Sequence, residues 1–257
     1  MLLAIDVGNT QIALGLFRGD ELVGHWRFGT RPERTPDEMR WELLGVLELD
    51  GFVPRDVGGV CLSSVVPAVT ATLRTVAPAL TVGEVVVVEP GVRTGMPILI
   101  DNPHEVGADR VVNALAARER YGVPTVVVDF GTSTNFDVVG PEGAYLGGAI
   151  APGLEISTNA LISGTAALRR VEFSPPRSPI GKGTVEAIQS GSIYGHAGLV
   201  DGILERIAIE LGGDVTRVAT GGLAPTIVPH CRSVDVIDEF LTLEGLRLIF
   251  EHNRETP

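Results

Sequence analysis

Leu2-Leu3-Ala4-Ile5-Asp6-Val7-Gly8-Asn9-Thr10, followed by Ile12-Ala13-Leu14-Gly15-Leu16-Phe17, is an apolar strand that enters an acidic glycine turn and leaves it as a second strand. The pattern returns in mid-chain. Thr125-Val126-Val127-Val128 leads into Asp129-Phe130-Gly131-Thr132-Ser133-Thr134, and Phe136-Asp137-Val138-Val139 follows. Each copy reads as a β-hairpin whose tip carries an aspartate, a glycine and amide or hydroxyl side chains. Glycine permits a tight turn and a close backbone approach to a ligand, and the neighbouring N–H groups can cradle phosphate oxygens. The aspartate can hold a cation that neutralises those phosphates. Asp-x-Gly is also a common hairpin end with no further purpose; the duplication with matching flanks favours the phosphate site. Two such hairpins predict a nucleotide gripped between two related domains.

Composition is consistent with that plan. The chain has 257 residues, enough for two domains of ordinary size, and the repeated hairpin divides it at 1–117 and 118–257. Hydrophobic residues make up 44%, ample for packed cores, yet no apolar run approaches the ~20 residues of a membrane span. The first strand starts at Leu2 without a basic flank, so a cytoplasmic protein is expected. Cys61 and Cys231 are the two cysteines, read as reduced thiols. A net charge of −12 opposes attraction to nucleic acid or anionic membrane. It leaves anionic small substrates open, because N–H groups, arginines and bound cations can reverse the field locally.

The flanking segments alternate strand and helix, which implies mostly parallel sheets. Residues 2–28 read as a β-meander that turns at Arg18-Gly19-Asp20. A helix fits 36–49, with Thr35 as cap, Pro36 in the first turn, Asp37 and Glu38 at the positive end, and Leu43, Leu44 and Leu47 as the apolar stripe. Strands at 58–64 and 84–88 flank a helix from Pro67. A crossing loop at 89–104 leads to Gly107-Ala108-Asp109-Arg110 and a helix through Val111, Val112, Ala114, Leu115 and Ala116. The second half repeats the scheme. It has the hairpin at 125–139, a glycine-rich strand and loop at 145–153, helices at 153–168 and 183–211 around a Ser/Pro loop, and a strand at 215–219 ending in Thr220-Gly221-Gly222. A strand at 233–237 and a helix at 242–252 close it. Gly191, Gly195, Gly198 and Gly202 on the long helix weaken its propensity and fit either packing inside the domain or a helix–helix dimer contact.

Familiar alternatives are missing. Gly181-Lys182-Gly183-Thr184 lacks the leading glycine of a phosphate loop, having Pro176 in its place, and no Gly-x-Gly-x-x-Gly turn follows a strand. No His-Glu-x-x-His or Cys-x-x-Cys pair occurs, so a zinc site is not expected. Phosphoryl transfer needs phosphates positioned and neutralised and an acceptor aligned to the γ-phosphorus. Asp6 and Asp129 are candidate cation holders, with Asn9, Thr10, Thr132 and Thr134 as candidate donors to phosphate oxygens. Thr220-Gly221-Gly222, with no bulk to obstruct a flat base, is a candidate floor for adenosine. Asp109-Arg110 offers a carboxylate to take a proton beside a charge to fix substrate, although a charged pair at a helix start also suits the helix itself.

Taken together these residues resemble the type III pantothenate kinases, within the actin-like, sugar-kinase and heat-shock-ATPase superfamily. The resemblance rests on Asp6-Val7-Gly8-Asn9-Thr10, Asp101-Asn102-Pro103, Gly107-Ala108-Asp109-Arg110, Asp129-Phe130-Gly131-Thr132, Gly147-Gly148-Ala149-Ile150-Ala151-Pro152-Gly153, Thr220-Gly221-Gly222 and Leu241-Thr242-Leu243-Glu244-Gly245-Leu246. It implies an α/β fold of two related ribonuclease-H-like domains, each a mixed sheet flanked by helices, with the active site in the cleft between them. The implied activity is ATP-dependent phosphorylation of pantothenate, the first step of coenzyme A synthesis. Asp109 is then the general base. Asp6, Val7, Gly8, Asn9, Thr10, Gln11, Ile12 and Ala13 lie along ATP together with Thr132, Gly221 and Gly222. Ile100, Gly107, Ala108, Arg110 and Thr184 line the substrate. The resemblance also implies magnesium at Asp6, directly or through water, potassium or ammonium at Asp129, and a homodimer, which favours the dimer reading of the long helix. Ile100 stands where many members have a tyrosine that touches substrate, so that contact is lost or becomes apolar. Asn135 and Gly183 likewise replace a threonine and an asparagine. The competing expectations are a kinase of the same superfamily with another small hydroxyl or carboxylate substrate, and a non-catalytic accessory factor in transcription.

Overall fold

The computed structural model describes residues 1–165 and 168–254. Those residues form two compact units. One contains residues 1–97, 101–116 and the chain from Leu241 onward; the other contains Ile98–Ile100 and Ala117–Phe240.

The first unit is built on β1 (Leu2–Val7), β2 (Gln11–Arg18), β3 (Glu21–Gly29), β4 (Gly59–Ser64) and β5 (Glu84–Val87), in the order β3-β2-β1-β4-β5. The meander strands pair antiparallel, while β4 and β5 add parallel to β1, so the sheet is mixed. Between β3 and β4 runs α1 (Pro36–Leu49). Its start follows the sequence closely: Glu38 N–H donates to Thr35 Oγ1 at 3.3 Å, and Thr35 N–H donates to Glu38 Oε2 at 2.8 Å. This reciprocal cap satisfies two N–H groups that a helix start leaves orphaned. Met39, Leu43 and Leu47 of α1 and Val69, Leu73 and Val76 of α2 (Pro67–Val76) cover Leu3, Ile5 and Val7 of β1 and Ile12, Leu14 and Leu16 of β2.

Strand residues alternate between faces, so Ala4 and Asp6 lie on the opposite side of β1. In the parallel pairing Ala4 is level with Cys61, and Asp6 with Ser63. That face is covered by the last helix, α7 (Leu241–Asn253), which packs on β1, β4 and β2. At Gly59 an added Cβ would overlap the Phe250 ring. The sequence order puts this helix in the second half, and a cut after residue 117 would assign it there. Its packing instead joins it to the first unit, because Leu241, Leu243, Leu246 and Ile249 are buried there, each worth about 2 kcal/mol. The boundary also falls inside α3 (Ala108–Tyr121), between Ala116 and Ala117.

The second unit holds β6 (Thr125–Phe130), β7 (Ser133–Val139), β8 (Tyr145–Pro152), β9 (Thr216–Thr220) and β10 (Val236–Ile237), in the order β10-β9-β6-β7-β8. From the β8 edge this repeats the first sheet strand for strand, with β6 paired antiparallel to β7 and parallel to β9. The helices here are α4 (Leu154–Ser163), α5 (Thr184–Glu210) and the short α6 (Ala224–Ile227). Ile193, Ala197, Val200 and Leu204 of α5 pack on Val126, Val128, Phe130 and Phe136. The expected helix at 153–168 ends at Ser163, and its continuation through 166–167 lies outside the described residues. No helix among the described residues is long and apolar enough to cross a membrane.

Candidate active site

In the first unit β1 ends on Asp6-Val7, and residues 8–10 carry the chain into β2 with Gly8 N–H bonded to Gln11 O at 2.9 Å. Asn9, Thr10 and Gln11 are exposed. Val7 and Ile12 are core side chains, so they can offer a ligand only their backbone. Ala13 sits opposite Asp6 in the ladder. The turn is braced from the end of β3, where Thr30 Oγ1 donates to Gly8 O at 2.7 Å and Thr30 N–H donates to Thr10 O at 2.9 Å. Neither Gly8 nor Gly131 adopts a left-handed backbone conformation. The turns therefore do not need glycine for a left-handed backbone. At Gly8 an added Cβ would stand a tight 3.3 Å from the Gln11 carbonyl oxygen, whereas at Gly131 it would meet ordinary contacts at 3.6 Å.

Asp6 accepts a hydrogen bond from Ser63 Oγ at 2.5 Å. Loss of hydration raises its pKa to about 7 against that bond, and the charge of Asp109 adds to the rise. Ser63 was not among the candidates drawn from sequence. Its signal lay in position, at the end of the strand that pairs parallel to β1.

Asp109 occupies the first turn of α3, next to Ala108 and Arg110. Its Oδ1 accepts the Arg110 N–H at 2.9 Å. Burial raises its pKa, while that N–H and the Arg110 charge oppose the rise. The carboxylate folds back over Gly107, where a Cβ would come within 2.5 Å of Asp109 Oδ1. Glycine at 107 is thus what admits the carboxylate in this orientation.

In the second unit Asp129 is level with Asn135 on β7 and Thr220 on β9. Gly221, at φ +91°, passes so close that a Cβ would sit 2.5 Å from Asp129 Oδ1. Gly222 and Thr132 are exposed at the adjoining turns. Gly153 lets the start of α4 approach the carbonyls of Gly131 and Thr132, which an added Cβ would overlap. Thr134, a candidate phosphate donor on sequence, is buried against His196 Nε2 at 2.9 Å, so its hydroxyl is committed to the core. Burial lowers the His196 pKa and keeps the ring neutral. Thr184 is the exposed first residue of α5. Near it, Glu186 accepts from Arg177 Nε at 2.8 Å and from Lys182 N–H at 3.1 Å, folding the preceding loop onto the helix. Ile100 follows Leu99, whose N–H donates to Tyr145 O at 2.8 Å, and its Cγ2 lies 3.4 Å from where a Cβ on Gly147 would be.

The glycines of α5 behave in a revealing way. Added Cβ atoms at Gly191, Gly195 and Gly198 would meet nothing within 4 Å, so packing inside the unit does not call for glycine at these positions. Their spacing of four and three residues puts all three on one face.

The family model for type III pantothenate kinases matches residues 2–206. The chain belongs to the type III pantothenate kinase family. A type III pantothenate kinase from Acidothermus cellulolyticus is 54% identical over 258 residues, spanning 98% of this chain and 99% of its own. One from a Parafrankia species is 53% identical, spanning 99% of each. Among solved structures, a conserved Baf family protein from Campylobacter jejuni aligns with a TM-score of 0.60 at 17% identity, over 98% of both chains. Component A of (R)-2-hydroxyglutaryl-CoA dehydratase from Acidaminococcus fermentans aligns with 0.58 at 15% identity, over 98% and 99%. At such identity these two speak for the fold alone, two mixed sheets flanked by helices. Relatives that span the whole chain of this type III pantothenate kinase family member are named as kinases of pantothenate, which favours neither an accessory role in transcription nor a different acceptor.

Proposed function

We propose that the chain performs its family's reaction with Asp109 as the general base. That reaction is ATP-dependent phosphorylation of pantothenate at its primary hydroxyl, the first step of coenzyme A synthesis. The observation that carries the assignment is the state of Asp109: a carboxylate withdrawn from water, its pKa raised, yet held by the Arg110 N–H and steadied by the Arg110 charge. A general base works best when its pKa approaches the working pH. Asp109 takes the proton of the hydroxyl as that oxygen bonds to the γ-phosphorus and the bond to the bridging β,γ-oxygen breaks, releasing ADP. Arg110 lies beside the substrate, whose carboxylate its planar guanidinium suits. Gly107, Ala108, Ile100 and Thr184 complete the substrate contacts.

In the first unit, backbone N–H groups and side chains from Asp6 to Ala13 run along the ATP phosphates. In the second, Thr132 contacts them, and Gly221 and Gly222 leave room for adenosine. A carboxylate with a pKa near 7, as at Asp6, is one that a cation would ionise. That fits magnesium, which uses one or two carboxylates and completes its shell with phosphates and water. Asp129, with its oxygen against Gly221, would hold potassium or ammonium. Bound at Asp6 and Asp129, such cations would supply positive charge to offset that of the phosphates. The open glycine face of α5 supports a homodimer, and the protein would act in the cytoplasm.

ADP release from magnesium–ATP tests the reading, measured with and without pantothenate, in potassium and then in sodium. Release that needs pantothenate is expected, and it should be strong in potassium alone. Release indifferent to pantothenate would overturn the substrate, and release indifferent to the monovalent ion would overturn the Asp129 assignment.

A further inference from the structure

Leu241-Thr242-Leu243-Glu244-Gly245-Leu246 has no part in the reaction as described, and it lies beyond residues 2–206 that the family model covers. In the first unit it forms the opening turns of α7, which meet the helix that bears Asp109. Thr242 Oγ1 donates a 2.7 Å hydrogen bond to Oδ1 of the buried Asn113 on α3. Gly245 comes so close to α3 that an added Cβ would overlap the carbonyl oxygen of Val112. On its other side α7 reaches the sheet, where Leu243 Cδ1 lies 2.9 Å from the place a Cβ on Gly15 would take. Asn113 follows Asp109 by four residues, so both stand on one face of α3.

We propose that Thr242 and Gly245 are positioning residues for Asp109. By joining α3 to the sheet that carries Asp6, they set the rotation of α3 about its axis and its depth against α7. A helix with side chains is about 10–12 Å across. A turn of ~10° therefore carries a carboxylate about 1 Å along its arc, a misplacement that can slow an enzyme about a hundredfold. The inference rests on Asp109 being the base, and the test separates the two.

The full chain is compared with Thr242→Val, Thr242→Ser, Gly245→Ala and Asp109→Asn, reading kcat, KM for ATP and the pH profile of kcat. Thr242→Val, nearly the same shape without the hydroxyl, should lower kcat about 10–100-fold. KM for ATP should hardly change and the acid limb of the profile should move, while Thr242→Ser restores both. Gly245→Ala should match Thr242→Val; if it does not fold, the Thr242 pair decides alone. Wild-type kcat and profile in Thr242→Val, beside an inactive Asp109→Asn, would overturn the positioning role and leave the base assignment standing. A fully active Asp109→Asn would remove the base and the positioning role with it. A loss in Thr242→Val that Thr242→Ser does not restore would also overturn the proposal.

Discussion

Asp6 near the end of β1 and Asp109 in the first turn of α3 lie near enough that the charge of Asp109 opposes ionisation of Asp6. That charge joins burial in raising the Asp6 pKa to about 7 in spite of the Ser63 hydroxyl. Burial raises Asp109 too, against the N–H and the charge of Arg110.

Asp109→Asn should lower turnover ~10²–10⁴-fold, the range of a lost acid–base group, and leave nucleotide affinity nearly unchanged. Steady-state kinetics together with calorimetric titration of ATP would check both. Unaltered turnover would remove Asp109 from the mechanism.

Magnesium–ATP should bind with release of protons. With a pKa of about 7, Asp6 is about half protonated at pH 7, and a cation beside it drives that proton off. Titration calorimetry in buffers of different ionisation enthalpy counts the protons. The wild type should release about half a proton more than Asp6→Asn; equal release would mean that Asp6 does not face the cation.

The same group makes stability depend on pH. Its pKa is raised from an ordinary 3.8 to about 7 in the folded chain, so between those values the unfolded state binds fewer protons and folding weakens as pH rises. Asp6→Asn lacks this dependence. Without nucleotide, the variant's advantage in urea midpoint should therefore be small near pH 4 and grow through pH 7. An advantage that shrank over that window would contradict the burial of Asp6.

Gly221→Ala should act on Asp129 as well as on the backbone. Alanine at φ +91° is strained by about 1–3 kcal/mol, and its Cβ would stand 2.5 Å from Asp129 Oδ1. Both Gly221→Ala and Asp129→Ala should lose activation by potassium or ammonium. Normal activation in a folded Asp129→Ala protein would place the monovalent ion elsewhere.

Much of this was legible in the residues because the signals are local. The hairpins announce themselves by apolar strands that break at Asp6 and Asp129, and α1 by its Thr35–Glu38 cap. The contacts that tune the site are not local. Ser63 reaches Asp6 across 57 positions of sequence, and Thr30 reaches Gly8 across 22. Gly221 and Asp129 meet only because β9 pairs with β6. Thr134 misled for the same reason: a hydroxyl in a turn motif looks available until the alternation of β7 turns it toward His196 on α5. The glycines of the two turns suggested backbone need, whereas Gly107 and Gly221 are the ones that admit a carboxylate.

The place of α7 bears on how the protein is made. A ribosome delivers β1, β2 and β4 early, but the helix that covers Ala4, Gly59 and Cys61 on their second face begins at Leu241 and emerges after the strands of both sheets. At about 5–20 residues per second, the interval from the end of the α3 segment is about ten seconds. Throughout it the first sheet is half-clothed, and the second unit can mature before the first. A nascent chain that stalls after Phe240 would leave a bare sheet for chaperones to shelter, and the turn that carries Asp109 would be without its brace.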